Sequence, residues 1–545
     1  MKSKKYITYG LILLVVIVSC IIGYNSLYPS KANYDDYTKV NTENQINHIK
    51  EIAKEPHSIY DREAHDEVRD YLLSELKKLD IDPKLYTYED VYIERSKSKE
   101  KLENIYAEIK GKSDSYIMLV THYDSSRAKT ERYAEKDGSK GAADAGYGLS
   151  TILETLRVIK ENNVTLNNGI KILITDGEEC GLAGAKEAVK EKEIFENVNY
   201  LINLEARGTK GPAIMFETST NNSSVVDLYS YSEKPFSYSI TPEIYRLLPN
   251  GTDFTVFLES NIPGINISVL DGLENYHTPN DSIESVNDRS LQHYGDQVLP
   301  IVTEFVSNEK YADKASIISN NDAIFFSIGS AFIKYSKTIN YTLIGIILLA
   351  IIFLFNKLKI KNILVPIKYS LVNLGFTTLV AIVCYGISRL AAIVNNHPFK
   401  LTYLPLIKHE KLAILAIIAV ALITYTLLIK KISKRFKEKN EYILGSIILL
   451  FLLGLILTFV LPGGSYLFIF PAIIISLSTI LCTILNGKIN KISYILLIPA
   501  SLIIVLYVPT VYLFNAALTF GALCVTMIFA IIGIISVTTC LIQVD

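Results

Sequence analysis

Eight apolar runs of about bilayer length divide this chain of 545 residues into two different parts. A helix that crosses a bilayer needs roughly 20 mostly apolar residues. One run follows the lysine-rich amino terminus, and the others crowd the second half of the chain. The runs cover residues 6–24, 339–355, 368–392, 412–429, 442–461, 465–486, 492–514 and 518–541. The pattern predicts a signal anchor over 1–29, a water-soluble domain over 30–320, an interfacial linker over 321–337 and an all-α, seven-span membrane domain over 338–545.

Basic residues predict how these runs are oriented. Loops rich in lysine and arginine tend to stay on the cytoplasmic side of a membrane. The first five residues hold three lysines, and the loops 357–361, 430–439 and 488–491 are also basic. All four places fall on one side if the amino terminus is cytoplasmic. We therefore expect a multi-pass cell-membrane protein with both termini in the cytoplasm and the soluble domain outside it.

Two alternatives concern the membrane part. The segment Ile17-Val18-Ser19-Cys20 resembles a bacterial lipoprotein cleavage box, but the apolar run continues beyond Cys20. A transport function would favour ionisable groups within the spans, and Arg389 is the clearest of the few present. An anchoring or scaffolding bundle is therefore favoured over a transporter. The formal net charge of −1 suggests no nucleic-acid partner.

The soluble part alternates between helix-like and strand-like patterns. Helical periodicity covers 42–55, 64–79, 147–161, 183–195 and 286–307, and strand-like apolar runs cover 103–109, 115–121, 169–175, 199–205, 212–217 and 264–270. This alternation predicts an α/β fold, with a mostly parallel or mixed sheet and helices on both faces. Sheets of this kind bind ligands beyond the carboxyl ends of their strands.

Acidic residues and histidines follow several of those strand-like runs. The candidates are His122, Asp144, Glu178, Glu179, Glu205 and His277. Singly, each has an ordinary explanation: Asp144 could cap the following helix, and the paired glutamates could start one. Glu205 is harder to explain, because an unpaired carboxylate beside a buried sheet is costly. As a set, these residues could hold two zinc ions and still leave one carboxylate as a general base.

These residues stand in motifs that resemble the co-catalytic di-zinc aminopeptidases of clan MH. The motifs, in family order, are His122-Tyr123-Asp124, Gly141-Ala142-Ala143-Asp144, Glu178-Glu179-Cys180-Gly181-Leu182, Asn203-Leu204-Glu205-Ala206 and Tyr276-His277-Thr278-Pro279-Asn280-Asp281. Glutamate at 205 and the segment Thr252-Asp253-Phe254 resemble the membrane-bound branch, which includes endoplasmic-reticulum and vacuolar membrane metallopeptidases. The resemblance implies a three-layer α/β/α zinc exopeptidase domain with a mixed sheet.

The resemblance also implies a role for each site residue. Asp144 would bridge two Zn²⁺ ions, His122 and Glu205 would complete one site, and Glu179 and His277 the other. Glu178 would be the general base, and Asp124 would orient His122 through a hydrogen bond. The resemblance implies a strained peptide bond after Asp144, where Ala145 replaces the usual second aspartate. Tyr245 and Tyr276 are both candidates for the oxyanion donor.

The resulting prediction is a membrane-anchored, outward-facing zinc exopeptidase, with aminopeptidase activity favoured and peptides as substrates. Two enzymatic alternatives remain: a glutaminyl cyclase, which would keep one zinc ion, and a carboxypeptidase acting on acidic termini. A third alternative is a membrane scaffold that has lost its activity. The exopeptidase would bind two zinc ions per chain, the cyclase one and the scaffold none. The zinc content therefore separates the three.

Overall fold

The computed structural model describes residues 2–127, 138–248, 250–399, 401, 407, 409–436, 439–485 and 492–544. The basic loop predicted at 488–491 lies outside the described residues, as do residues 437 and 438 of the basic loop 430–439. The chain forms two compact units. One covers Tyr28–Phe326, and the other combines Met1–Leu27 with Ser327–Asp545.

Seven strands form one mixed sheet in the first unit. They are β1 (Lys84–Ile93), β2 (Ser98–Ile109), β3 (Tyr116–His122), β4 (Gly169–Thr175), β5 (Val198–Ala206), β6 (Ile214–Thr218) and β7 (Gly264–Val269). Their order across the sheet is β1-β2-β4-β3-β5-β7-β6. The four central strands β4, β3, β5 and β7 run parallel, whereas the outer pairings are antiparallel. Every residue of these four central strands is buried, which requires cover on both faces of the sheet.

Helices supply that cover and are numbered along the whole chain from α1 (Lys2–Asn25). Those of the first unit are α2 (Thr42–Ile52), α3 (Arg62–Lys78), α4 (Gly146–Glu161), α5 (Ala183–Ala188), α6 (Lys192–Phe195), α7 (Ser223–Tyr229), α8 (Ile240–Tyr245), α9 (Asp253–Glu259) and α10 (Asp288–Ser307). On one face α4 packs on β3 and β5, with α2 and α10 against α4. On the other face, side chains of α5, α6 and α9 share a core with the sheet. The predicted three-layer α/β/α fold is confirmed.

Most elements of the soluble part occur where the sequence pattern predicts them, with three differences. The single helix predicted over 183–195 is interrupted and forms α5 and α6. The short helices α7 to α9 were not predicted, because none is long enough to show a helical period. Strand β1 was also not predicted, since most of its residues are exposed or half-exposed at the edge of the sheet.

A glycine in α4 brings the Asp144 turn close to the sheet. A β-carbon at Gly148 would lie 2.3 Å from Thr121 Oγ1 and 3.1 Å from the Leu204 side chain. Any larger residue would therefore push α4 away from β3 and β5. Because α4 begins two residues after Asp144, this close packing also sets the distance between Asp144 and the strand ends.

The second unit contains the remaining long helices. They are α11 (Lys337–Lys357), α12 (Leu364–Val394), α13 (Glu410–Phe436), α14 (Lys439–Val460), α15 (Tyr466–Leu485), α16 (Leu497–Leu518) and α17 (Leu523–Leu541). Together with α1, the described residues contain eight helices that are long and apolar enough to cross a membrane. The hairpin of β8 (Ala323–Ile328) and β9 (Ala331–Ser336) occupies the region predicted as an interfacial linker. Its position at a membrane surface stays a prediction.

Polar contacts join the helices of the second unit to each other. Helix α1 lies against α16, where the Ser19 and Ser501 hydroxyls are 2.6 Å apart. The Asn340 amide donates to Thr458 Oγ1 at 3.0 Å, and the Asn373 amide donates to Ser446 Oγ at 3.1 Å. Such hydrogen bonds stabilise the packing of membrane helices. Lipid tails are as apolar as the helix side chains, so the hydrophobic effect does not drive these helices together.

Candidate metal centre

The predicted site residues converge at the carboxyl-terminal edge of the parallel strands. His122 is the last residue of β3, and Glu205 is the second-last residue of β5. Glu178 and Glu179 follow β4, whereas His277 lies in the loop after β7. Asp144 lies in the turn before α4 and is 4 % exposed. The side chains therefore come from five separate segments, as the fold class requires.

Asp144 belongs to two groups of side chains that could each hold a metal ion. In the first group, His122 Nε2 lies 3.2 Å from Asp144 Oδ1 and 3.6 Å from Glu205 Oε2. In the second group, His277 Nε2 lies 3.3 Å from Asp144 Oδ2 and 2.8 Å from Glu179 Oε1. The ligand atoms of each group lie within 4.8 Å of one another. The two carboxylate oxygens of Asp144 thus face different groups.

The second group contains two buried polar atoms without a hydrogen bond. His277 Nε2 and Glu179 Oε1 are close to each other, but neither has hydrogen-bond geometry with any described group. Such atoms are unfavourable in a protein interior unless they bind something else. Histidine nitrogen and carboxylate oxygen are both common zinc ligands. The residues present therefore fit a metal ion at this place.

The charges of the site perturb one another. Burial opposes ionisation of Asp144, but the hydrogen bond from His122 and the charges of His122 and His277 lower its pKa below the usual value. Burial raises the pKa of Glu205 to about 8. Burial lowers the pKa of His277, yet the charges of Glu179 and Asp144 outweigh it and raise this pKa to about 9. Both shifts favour the protonated forms of Glu205 and His277.

We expect metal binding at pH 7 to release protons, because ligands must be deprotonated to bind a metal. A higher pH removes the competing protons, so the apparent affinity should rise as pH approaches about 9, the pKa of His277. Calorimetric titration with Zn²⁺ in buffers of different ionisation enthalpy measures the number released. The variant Glu205→Gln should release fewer protons. A binding heat that is independent of the buffer would contradict this expectation.

Asp124 contacts more of the site than the sequence predicted. The His122 Nδ1 atom lies 2.9 Å from the Asp124 backbone oxygen and 3.5 Å from its carboxylate. The same carboxylate accepts hydrogen bonds from the backbone N–H groups of Glu178 at 3.0 Å and Glu179 at 3.1 Å. One buried aspartate thus contacts His122 and also orients the turn that carries both glutamates.

Asp281, the last residue of the Tyr276–Asp281 motif, holds the turn that carries Asp144. Its carboxylate accepts from the backbone N–H of Ala143 at 2.8 Å and of Asp144 at 3.2 Å. The peptide bond between Asp144 and Ala145 is cis. The sequence placed Asp281 in a motif but assigned it no role; its fixed spacing of four residues from His277 was the available signal.

Glu205 is supported by a buried row of amides. The Asn203 side chain donates to Glu205 Oε1 at 2.9 Å and to Asn266 Oδ1 at 3.2 Å. Asn266 in turn donates to the buried Glu217 at 3.2 Å. The Tyr294 hydroxyl donates to the Glu205 backbone oxygen at 2.5 Å. Asn266, Glu217 and Tyr294 could not be predicted from the sequence, because their strands and helix meet β5 only in the folded domain.

Both tyrosines proposed as oxyanion donors lie in the electric field of the site. Burial, followed by the charges of Glu217, Glu205 and Glu178, raises the pKa of Tyr245. Burial, followed by nearby charges including Asp144, raises the pKa of Tyr276, whose ring stacks on His277 at 3.6 Å. Both hydroxyls are therefore protonated at neutral pH and can donate a hydrogen bond. The choice between them stays open.

The site groups histidines and carboxylates around one shared aspartate, at the carboxyl-terminal edge of a three-layer α/β/α domain. These are features of a zinc metallopeptidase. The family comparison agrees with this class. Residues 104–302 match the model of peptidase family M28. This segment is therefore similar to M28 peptidase domains, and it includes all the predicted ligands.

Similar proteins from eukaryotes are named as a protease of the vacuolar membrane and as a metallopeptidase of the endoplasmic reticulum. The vacuolar membrane protease of Candida tropicalis is 28% identical over 373 residues, which cover 65% of this chain and 38% of that protein. Endoplasmic reticulum metallopeptidase 1 of Homo sapiens is 27% identical over 220 residues, which cover 38% of this chain and 24% of that protein. The matched regions thus span well under half the length of these relatives.

Two solved structures each match about half of this chain. A Zn-dependent exopeptidase from Parabacteroides distasonis has 21% identity and a TM-score of 0.40, covering 50% of this chain and 99% of that chain. A glutaminyl cyclase from Bacteroides thetaiotaomicron has 17% identity and a TM-score of 0.41, covering 49% of this chain and 98% of that chain.

Proposed function

We propose that the protein is a membrane-anchored di-zinc exopeptidase, an aminopeptidase, that acts outside the cytoplasm. The observation that carries this proposal is the position of Asp144 between two groups, each of which adds one histidine and one glutamate. Two zinc ions about 3.5–4 Å apart repel each other and are stabilised by a shared anionic ligand. One carboxylate oxygen of Asp144 lies near the histidine of each group.

The proposed ligands are His122, Asp144 and Glu205 for one ion, and Asp144, Glu179 and His277 for the other. Zinc bound there would act as a Lewis acid on the scissile carbonyl and lower the pKa of water to about 7. Asp124 would keep the imidazole of His122 in one tautomer, because the Asp124 backbone oxygen can accept from Nδ1 and leave Nε2 free for metal.

Glu178 is proposed as the general base because it lies beside both groups but belongs to neither. Burial and the charge of Glu205 raise its pKa well above the usual value for glutamate. A carboxylate with a raised pKa is a better proton acceptor, and Glu178 could then return the proton to the leaving amine. The hydrogen bond from its backbone N–H to Asp124 keeps the turn in place.

Peptide digestion tests this proposal directly. The purified full chain, reconstituted with zinc, should remove residues one by one from the amino termini of a peptide library, as read by mass spectrometry. Amino-terminally acetylated peptides are the matched control and should resist cleavage. Two results together would instead support the cyclase alternative: conversion of amino-terminal glutamine to pyroglutamate, and a content of one zinc ion per chain.

The topology proposal makes a separate prediction. Single-cysteine reporters at Ser96, at Ser433 and at the carboxyl terminus, in a background without native cysteines, can be labelled in intact cells with an impermeant reagent. We expect labelling at Ser96 only, because the basic loops favour the cytoplasm. The loop 395–411 is also predicted to face outwards, despite its basic residues Lys400, Lys408 and Lys411. Lys400 and Lys408 lie outside the described residues. Labelling at Ser433 in intact cells would overturn the orientation.

A further inference from the structure

Two arginines border the turn that carries the proposed base. Arg95 lies at the tip of the β1–β2 hairpin and donates from its guanidinium to the backbone oxygen of Glu179 at 2.8 Å. Arg127 follows β3, and its guanidinium lies 3.9 Å from the ring centre of Tyr60. The Tyr60 hydroxyl is 3.8 Å from Cys180 Sγ, in the residue after Glu179. Both guanidinium groups therefore lie beside the Glu178–Cys180 turn.

Three other arginines of the same unit are paired with carboxylates. Arg62, Arg69 and Arg157 each form ion pairs with carboxylates on the protein. Among the described residues, neither Arg95 nor Arg127 has a carboxylate within 4.0 Å. A guanidinium has five N–H donors, so the single contact of Arg95 leaves most of them available. Stacking on Tyr60 uses the face of the Arg127 group and leaves its N–H edge for a planar anion.

The surroundings make this placement informative. Glu178, the proposed base, lies in this turn, so a group bound beside the turn would be close to the cleaved bond. Within the part of the chain that the structure describes, neither arginine is paired with a carboxylate, so both can pair with a carboxylate of the substrate.

We propose that Arg95 and Arg127 bind a carboxylate of the peptide substrate and make the enzyme selective for short acidic peptides. This inference rests on the proposed peptidase function and adds a substrate class to it. The carboxylate could be an aspartate or glutamate side chain next to the cleaved bond or the free carboxyl terminus of a very short peptide. Both present the same planar anion, which matches the guanidinium fork.

Isosteric peptide pairs test the proposal on the zinc-loaded full chain. One pair differs by glutamate or glutamine next to the cleaved bond, and the other by a free or amidated carboxyl terminus. The carboxylate member of at least one pair should have a kcat/KM about tenfold higher, as expected for a hydrogen bond to a charged group. The pair that shows the preference identifies the source of the carboxylate. Equal rates within both pairs would overturn the proposal.

Substitutions distinguish recognition from a merely structural role. Arg95→Gln and Arg127→Gln should each reduce the preference, and the double variant should bring the ratio near one. Arg95→Lys should restore part of it. Arg289→Gln is the matched control, because Arg289 also contacts a backbone oxygen and a tyrosine ring, at Ser30 and Tyr28. If the arginines only support the Glu179 backbone, each substitution should lower kcat/KM equally for both peptides of a pair. The ratio between the two peptides would then stay unchanged, which would contradict the proposal.

A binding arm separates this inference from the peptidase proposal. Calorimetry measures the affinity of the same peptides for the Glu178→Gln chain, with and without the arginine substitutions. If no peptide is cleaved by the parent chain, the peptidase proposal fails, while preferential binding that depends on Arg95 and Arg127 would still support the carboxylate site. Equal binding of both members of each pair would reject the site whether or not peptides are cleaved.

Discussion

Replacing Glu178 with glutamine should lower kcat by about 10²–10⁴, the usual contribution of a general base. Glutamine has nearly the same shape, but its amide cannot accept a proton from water at neutral pH. The hydrogen bond from the residue 178 backbone to Asp124 does not involve the side chain and should persist. We therefore expect an unchanged fold, an unchanged zinc content and a nearly unchanged KM.

The measurement needs both kinetics and metal analysis on the same preparation. Glu179→Gln is the matched control, since it changes the neighbouring residue in the same chemical way but removes a proposed ligand. Glu179→Gln should lose zinc, whereas Glu178→Gln should keep it. The opposite pattern would mean that the roles of base and ligand are exchanged between the two glutamates.

Replacing Asp144 with alanine should remove at least one zinc ion and destabilise the peptidase domain. The substitution deletes the only side chain common to both groups of proposed ligands. It also leaves the charged forms of His122 and His277 without the carboxylate that contacts both imidazoles. A ligand whose free concentration is about 100 times its Kd stabilises the folded state by about 2.7 kcal/mol. The expected fall in melting temperature is therefore on the order of 5–10 °C for a domain of this size.

Thermal unfolding with and without a chelator separates the metal contribution from the loss of packing. Most of the difference between Asp144→Ala and the parent chain should disappear when zinc is removed from both. Glu154→Gln is a useful control, because Glu154 is also fully buried but forms hydrogen bonds with Asn41 and Arg157, away from the proposed ligands. Its effect should not depend on the chelator. Two zinc ions in Asp144→Ala, bound as tightly as in the parent chain, would exclude Asp144 as the ligand shared by both ions.

Much of the α/β fold and the candidate site could be predicted from local patterns. The buried strands β3, β4 and β5 are continuous apolar runs, and their ends are followed by polar ligand-type residues. Because parallel strands bring their carboxyl ends to one edge, the meeting of His122, Glu179 and Glu205 follows from the fold class. The structure brings the predicted ligands together, and their individual roles stay predictions until metal analysis and kinetics test them.

The sequence by itself determined the fold class, the order of the ligand motifs and the division between an α/β part and apolar helices. These properties depend on short-range periodicity and on residue types that recur at fixed spacing. The tertiary structure alone decided which groups support the site. Asp124 reaches the backbone of Glu178 and Glu179 across two parallel strands, and Arg95 reaches Glu179 from a hairpin 84 residues earlier in the chain. Such contacts depend on strand register and loop conformation, which long-range packing selects and no local pattern encodes.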